Sequence, residues 1–269
     1  MTDDMSHSIM RDPRVRSVPW RDLTGLTRLE ATRELLLPLP WLAAELVLNT
    51  LGHPFIGAAA AFMFFLACLR VAHDVFHGNL GLPRWADAIV LAAMSPAMLT
   101  SLHAVQVTHV RHHAHCLDDD DVEAASARVS AVGALLLGPF FAARTHVAGI
   151  RHATGRQRPY IAAELGACVV VIWLALGPAR GSAFASHAWL MAMGQTLAPF
   201  FAVWTVHRGC DSAHYVARTL RNRLKSFIVL DMFFHVEHHL FPRVPTRRLP
   251  ELAARLDRAA PELASRQVY

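Results

Sequence analysis

Residues 54–77 read PFIGAAAAFMFFLACLRVAHDVFH, an apolar run that ends in two histidines, His73 and His77. Its apolar part, residues 54–72, is long enough to cross a membrane, because a spanning helix needs roughly 20 residues with a range near 17–25. Residues four apart lie on one face of a helix, so His73 and His77 can point into the same space. The run therefore predicts a membrane-spanning helix that brings two imidazoles to one of its ends.

Five further apolar stretches accompany this run and determine the expected fold. They cover residues 35–51, 86–103, 129–143, 160–177 and 185–206. Hydrophobic residues make up 54% of the chain and charged residues only 17%, whereas a soluble domain carries about 25% charge. We therefore predict an integral membrane protein in which 35–51 pairs with 54–72, and 160–177 with 185–206, as two transmembrane hairpins.

The other two stretches are predicted to re-enter the membrane or to lie at its surface. Residues 86–103 contain a Ser-Pro pair, and the histidines on either side can share one side of the membrane only if this stretch does not cross. Residues 129–143 are too short to span comfortably. The predicted fold class is an all-α integral membrane protein with four transmembrane helices and a cytoplasmic helical cap that carries the histidines.

Arginine is concentrated on one side of this topology. The segments before the first span, before the third and after the fourth carry many arginines, whereas the loops at 52–53 and 178–184 carry only Arg180. Positively charged loops tend to stay in the cytoplasm, so we expect the histidines on the cytoplasmic side of the cell (inner) membrane. The net charge of +5 comes from arginines that flank the apolar stretches and do not form a patch of the kind that binds nucleic acid. Nucleic acid is therefore not an expected partner.

The flanking segments are expected to contribute less. We predict a cytoplasmic N-terminal segment at 1–34, disordered to roughly residue 17, a membrane domain at 35–258 and a C-terminal tail at 259–269. Leucines at helical spacing near the end of the chain predict an amphipathic helix that lies on the membrane or, as we favour, packs on the rest of the protein. These leucines are Leu249, Leu252, Leu256 and Leu263.

Histidines carry the chemistry of this chain, because eight of the 17 fall into three clusters. The clusters are His73 and His77, then His109, His112 and His113, and then His235, His238 and His239. Zinc rarely takes more than four ligands, so eight imidazoles suit two metal ions better than one zinc. Imidazole also suits iron and copper, so iron has to be argued from ligand number and chemistry. The cysteines form no CxxC pair, and no thiolate metal site is expected.

Two of these clusters resemble the histidine boxes of the membrane-bound fatty acid desaturase and hydroxylase superfamily. Residues 73–78 read HDVFHG, similar to its first box, and residues 234–245 read FHVEHHLFPRVP, similar to its third box with the trailing LFPxVP. The resemblance covers roughly residues 35–258. It implies a cytoplasmic non-haem di-iron centre, O2 as co-substrate and a lipid or acyl-chain substrate.

The resemblance also implies a ninth histidine near the cytoplasmic end of the fourth span. His207 fits this position, because it ends the span and is followed by Arg208-Gly209; His214 is the alternative. No catalytic residue beyond the metal ligands is expected. The predicted ligands are His73, His77, His109, His112, His113, His207, His235, His238 and His239.

Acidic residues near the clusters are candidates to orient the imidazoles, since a ligating histidine usually donates its other N–H to a carboxylate or carbonyl. These candidates are Asp74, Asp118, Asp119, Asp120, Asp121, Glu123, Asp211, Asp231 and Glu237. For residues 118–121 a solvated loop is an equal alternative. His115 is expected to have an outer role or none. His103, His146, His152 and His187 are expected to be ordinary interfacial or packing residues.

Electrons are expected to come from an external donor. The chain has no GxGxxG fingerprint and no four-cysteine iron–sulfur set, so a ferredoxin- or cytochrome-type partner is predicted. Basic residues near the third box offer either a docking surface for an acidic donor or contacts with anionic lipid. They are Arg221, Arg223, Lys225, Arg247 and Arg248.

Three functions compete at this point. An acyl-lipid type fatty acid desaturase is favoured by the LFPxVP that follows the third box. A carotenoid ketolase or hydroxylase, or a lipid hydroxylase, is the alternative, because His112-His113-x-His115 followed by acidic residues is similar to ketolases. A metal transporter or sensor would need ligands near the membrane midplane, whereas these clusters flank the apolar stretches.

Overall fold

The computed structural model describes residues 9–211 and 214–265, and these residues are helical with no extended strand. One isolated antiparallel bridge joins Thr219 and Phe234. The α-helices are α1 (Pro13–Arg16), α2 (Arg28–Leu36), α3 (Leu39–Thr50), α4 (Pro54–Phe76), α5 (Arg84–Ala97), α6 (Leu102–Ala114), α7 (Ala131–Leu136), α8 (Gly138–His152), α9 (Arg158–Leu176), α10 (Ala183–Ala198), α11 (Thr205–His207), α12 (Arg223–Ile228), α13 (His235–Leu240) and α14 (Leu249–Ala259). A π-helical segment, Pro199–Trp204, joins α10 to α11, and 3₁₀ turns lie at Ile9–Arg11, Arg21–Leu23, Ala124–Arg128, Thr246–Arg248 and Pro261–Ser265.

Three helical segments are long and apolar enough to cross a membrane. They are α4 with 23 residues, α9 with 19, and the continuous segment Ala183–His207 with 25. A bent pair, α5 and α6, gives a fourth crossing only if the two helices together count as one broken span. The all-α fold is therefore confirmed for the described residues, with three or up to four candidate membrane spans.

The first predicted span, residues 35–51, has a different form. Pro38 lies between α2 and α3, Pro40 is the second residue of α3, and α3 has only 12 residues. At about 1.5 Å per residue this helix is about 18 Å long, well below a hydrocarbon core of about 30 Å. Helix α3 still packs along α4 as the first arm of a hairpin, but it does not have the length of a full span.

The apolar stretch 86–103 forms most of α5 and the start of α6, which are joined by a sharp elbow. Helices α5 and α6 meet at 113°, and Leu99 between them adopts a left-handed backbone with φ of 51°. The buried Glu164 of α9 stabilises the start of α6, because its Oε2 accepts hydrogen bonds from Ser101 Oγ (2.6 Å) and His103 N (3.2 Å). The elbow turns α6 and the second histidine cluster towards the end of α4.

The stretch 129–143 forms the short helix α7 and the beginning of α8. Gly138 starts α8 in direct contact with α10, and a Cβ added there would lie 1.8 Å from the Thr196 carbonyl oxygen. We expect Gly138→Ala to lower the free energy of unfolding by about 1–3 kcal/mol, because the overlap is with backbone that cannot rotate away. Chemical denaturation in detergent measures this. Gly155→Ala, which has open space around its Cβ, is the control, and equal stabilities of the two variants would contradict the prediction.

The two ends of the described chain pack together over the histidine-bearing end of the bundle. Val15 and Leu23 share one hydrophobic core with the C-terminal part of the chain. The disorder expected to roughly residue 17 is therefore not seen from residue 9 onward, and residues 1–8 lie outside the described residues. Leu249, Leu252, Leu256 and Leu263 are all buried in this core, so α14 is a packing helix. The core also joins residues on both sides of the proposed domain limits at 34 and 258.

Candidate metal centre

Four parts of the chain bring the predicted histidines to one place. The last turn of α4 carries His73 and the next residues carry His77, while α6 carries the second cluster and α13 the third. His207 ends α11, directly after the π-helical segment. Pro199 begins that segment and cannot donate the usual backbone hydrogen bond, and π turns often occur at functional sites. The widened turn sets the direction in which His207 leaves the helix.

The first group of imidazoles contains five side chains. Nε2 of His73 lies 2.9 Å from Nε2 of His238, and Nε2 of His113 lies 2.8 Å from the same atom. Nε2 of His77 lies 3.0 Å from Nε2 of His109. Ring nitrogens of His73, His77, His109 and His238 all lie within 4.8 Å of one another. This group therefore combines residues of all three clusters.

The second group contains the other four imidazoles. His207 Nε2 lies 3.0 Å from His235 Nε2 and 3.2 Å from His112 Nε2. His239 Nε2 closes the group at 3.2 Å from His235 and 3.3 Å from His112. His112 and His207 are only 1% and 2% exposed, so the group is shielded from solvent.

Three of the nine imidazoles have their orientation fixed by a hydrogen bond on the outer nitrogen. His109 Nδ1 donates to Glu123 Oε1 at 2.8 Å, and His112 Nδ1 donates to Asp121 Oδ2 at 2.7 Å. His207 Nδ1 donates to the Val216 carbonyl at 2.7 Å. A proton on Nδ1 leaves the Nε2 lone pair of a neutral imidazole pointing inwards, as in proteins that bind metals through histidine.

The inward nitrogens lie at the spacing that a shared cation requires. With a metal–nitrogen distance of about 2.1 Å, neighbouring ligands are about 3.0 Å apart at a right angle and about 3.4 Å apart at a tetrahedral angle. In their neutral, metal-binding forms, His112 and His207 turn two Nε2 lone pairs towards each other at 3.2 Å, an arrangement that a shared cation stabilises. Burial lowers the pKa of His235, His238 and His239 well below the ordinary value, and neutral imidazole is the form that binds metal. The donor set therefore fits two metal ions.

The structure separates His207 from its alternative. The His214 side chain is 46% exposed, and its Nδ1 lies 2.9 Å from Asp211 Oδ1, so Asp211 pairs with His214. His115 is likewise exposed, beside Asp118. Of the nine predicted ligands, all nine lie in the two groups described above.

The candidate orienting carboxylates divide into two sets. Asp121 and Glu123 hold histidines, whereas Asp118, Asp119 and Asp120 are exposed, so each of the two interpretations of the acidic run applies to part of it. The remaining candidates have other partners in the described residues. Asp74 accepts from Thr246 N (2.9 Å) and Oγ1 (3.0 Å), Asp231 accepts from Ser226 Oγ (2.8 Å), and Glu237 accepts from Thr219 Oγ1 (2.7 Å). Their expected role beside the histidines is therefore wrong in this structure.

Three of the five basic residues expected to dock an electron donor form ion pairs within the protein. Arg221 forms ion pairs with Glu237 and Asp257. Arg247 and Arg248 form ion pairs with the acidic residues of α2. Arg223 and Lys225, on the exposed side of α12, are the two members of the predicted set that face solvent.

Two histidines expected to be ordinary packing residues form buried pairs with carboxylates inside the bundle. His103 Nδ1 lies 2.5 Å from Glu164 Oε1, and His187 Nδ1 lies 2.8 Å from Glu45 Oε2. The partners are 61 and 142 residues apart in sequence, so no local pattern indicates them.

Cys116 is a further residue that sequence analysis missed. Its sulfur belongs to the second group, with ligand atoms of His112, His207 and His239 within 4.8 Å.

The described residues thus combine long apolar helices with a cluster of nine buried or half-buried imidazoles, two of which are held by carboxylates on their outer nitrogens. This combination defines a candidate metal-dependent membrane enzyme. The sequence model of the family named fatty acid desaturase matches residues 49–269, and the chain belongs to this family, whose members are oxidoreductases. A search of curated proteins gives no significant match.

Proposed function

We propose that the protein is an O2-dependent, non-haem di-iron oxidoreductase that introduces a double bond into an acyl chain. The observation that carries the proposal is the division of nine buried or half-buried imidazoles into two groups, with nearest Nε2–Nε2 separations of 2.8–3.3 Å. A single zinc ion does not use nine imidazoles. Family membership supports iron as the metal and a lipid as the substrate.

In this proposal each group holds one iron. The first iron is held by His73, His77, His109, His113 and His238, and the second by His112, His207, His235 and His239. When bound, the two irons supply the redox chemistry that activates O2 for attack on an unactivated C–H bond. The rest of the chain orients the ligands: Asp121, Glu123 and the Val216 carbonyl accept the Nδ1 protons, which leaves the Nε2 lone pairs for the metal.

A groove beside the second group supports a lipid substrate. It lies between α6 and α8 and is lined by apolar Phe140 and Val147 together with Arg144 and Arg151. It adjoins a smaller cleft that reaches His112 and Glu123, the outer side of the metal centre; the two share Arg111, Asp120, Val122, Ala148 and His152 as lining residues. An acyl chain with an acidic or zwitterionic headgroup matches this combination of apolar and cationic surface.

The position of the histidines along the spans favours an enzyme over a transporter. His73 lies in the last turn of α4, and His207 is the last residue of the segment Ala183–His207. Transport sites lie near the membrane midplane, whereas these residues are at span ends.

The arginine distribution supports a cytoplasmic location for this end of the bundle at the cell membrane. An external ferredoxin- or cytochrome-type donor would supply the electrons, and the exposed Arg223 and Lys225 are candidates to contact it.

Metal analysis and product analysis together test the proposal. We expect the purified protein to contain about two irons per chain, one for each imidazole group, and cells that express it to accumulate new unsaturated acyl chains. His238→Ala should lose both effects, whereas the exposed His115→Ala should keep them. Oxygenated lipid or carotenoid without new double bonds would assign the alternative, a hydroxylase or ketolase. One zinc per chain, or no metal, would overturn the di-iron proposal.

A further inference from the structure

The two groups of imidazoles are unequal, because the first contains five and the second four. The second group nevertheless has a fifth atom of a type that binds metals. Cys116 Sγ lies within 4.8 Å of the ligand atoms of His112, His207 and His239, and it is 3.9 Å from His112 Nε2. With this sulfur, both groups contain five donors.

The backbone holds Cys116 in this position. Cys116 lies four residues after His112, two residues beyond the end of α6, and is half-buried. The next residue, Leu117, has a φ of 67°, and its N–H donates to Asp121 Oδ2 at 2.9 Å. The same carboxylate oxygen accepts from His112. The turn thus fixes the sulfur and the imidazole relative to one carboxylate.

The distances suit a shared ion better than a hydrogen bond. The neighbours of the Cys116 sulfur, His112 Nε2 at 3.9 Å and the Val216 carbonyl at 4.0 Å, are both at the long limit for a thiol hydrogen bond. With metal–nitrogen and metal–sulfur distances of about 2.1 and 2.3 Å, two ligands of one ion are about 3.1–4.0 Å apart for angles of about 90–130°. The separation between His112 Nε2 and Cys116 Sγ lies within this range.

We propose that Cys116 binds the second metal ion as a thiolate, together with His112, His207, His235 and His239. The inference rests on the proposed function only in requiring a metal at the second group. On coordination the S–H bond breaks, the proton leaves to solvent and a metal–sulfur bond forms, with no change of oxidation state. The two metal positions then differ in chemistry, one surrounded by neutral imidazoles and the other carrying a soft, negatively charged donor.

Cobalt substitution tests this assignment without relying on activity. The wild-type protein loaded anaerobically with Co²⁺ is expected to show a thiolate-to-cobalt charge-transfer band in the near ultraviolet. Cys116→Ser should lose the band and keep the same cobalt content. Cys210→Ser is the matched control, because Cys210 is also half-buried and lies close to His207 in sequence; it should keep the band.

The outcomes separate this inference from the proposed function. Two bound cobalt ions without a thiolate band, or a band that persists in Cys116→Ser, would overturn the thiolate ligand and leave the di-metal centre standing. A protein that binds no metal would overturn both. X-ray absorption of the wild-type protein loaded with zinc decides the question even if the serine variant does not fold. A sulfur neighbour at about 2.3 Å supports the assignment, and a shell of nitrogen alone refutes it.

Discussion

His207→Ala is expected to remove the metal ion of the second group and to abolish turnover. His207 Nε2 lies between His112 and His235 at 3.2 and 3.0 Å, so alanine deletes a donor from the centre of that group. Loss of an outer partner of a ligand alone costs about 10–100-fold in metal affinity or activity, so deleting this ligand should cost more than about 100-fold. Metal content per chain and product formation measure the effect.

Two further variants distinguish metal binding from packing. His207→Asn keeps an N–H at the position of Nδ1 that can donate to the Val216 carbonyl, so it should preserve the fold and still lose the metal. His214→Ala removes an exposed imidazole paired with Asp211 and should behave as the wild-type protein. Full metal occupancy in His207→Asn, or metal loss in His214→Ala, would contradict the ligand assignment.

Asp121→Asn is expected to weaken metal retention by about 10–100-fold, as for other outer partners of ligating histidines. Asp121 Oδ2 accepts from His112 Nδ1 (2.7 Å) and Leu117 N (2.9 Å), while Oδ1 accepts from the backbone N–H of Glu123 and Ala124. An asparagine amide has one oxygen, so its NH2 group would face two donors on one side or the other. Either orientation disturbs His112.

The charge of Asp121 makes the effect larger. Burial alone would raise its pKa, but the hydrogen bond from His112 and those from the backbone outweigh burial and hold the pKa below the ordinary value. The side chain is therefore a carboxylate at neutral pH. Competition with a chelator should show faster metal loss in Asp121→Asn, whereas Asp119→Asn, which alters a fully exposed neighbour, should match the wild-type protein. Equal rates of loss in the two variants would refute the role of Asp121.

Local patterns in the sequence predict much of this architecture. Apolar length gives the helices α4, α9 and α10, and histidine spacing gives eight of the nine imidazoles that meet in the structure; the ninth, His207, is implied only by the family resemblance. These features depend on neighbours within one or two helical turns, and a single sequence shows them directly. The prolines at 38 and 40 are also visible, but their effect is not, because a helix interrupted there can still pack along α4.

The contacts that the sequence does not reveal are those made between distant elements. Nothing in the sequence distinguishes the four consecutive aspartates at 118–121. The turn after α6 places Asp121 against His112 and leaves the other three exposed to solvent. Glu164 reaches the elbow from a helix some 60 residues away, and Asp74 sits beside His73 in sequence yet bonds to Thr246. In each case the tertiary packing chooses among residues of the same chemical type.

The joint core of the two chain ends has a consequence for biogenesis. Residues 9–23 pack on the same core as Phe241, Leu252 and Leu263, and the ligands His235, His238 and His239 precede that C-terminal part by only a few residues. During synthesis the N-terminal segment is made first, and its partners in this core are made last. The core over the histidine-bearing end can therefore be completed only after residue 263 has been synthesised, so its closure is a late step of folding.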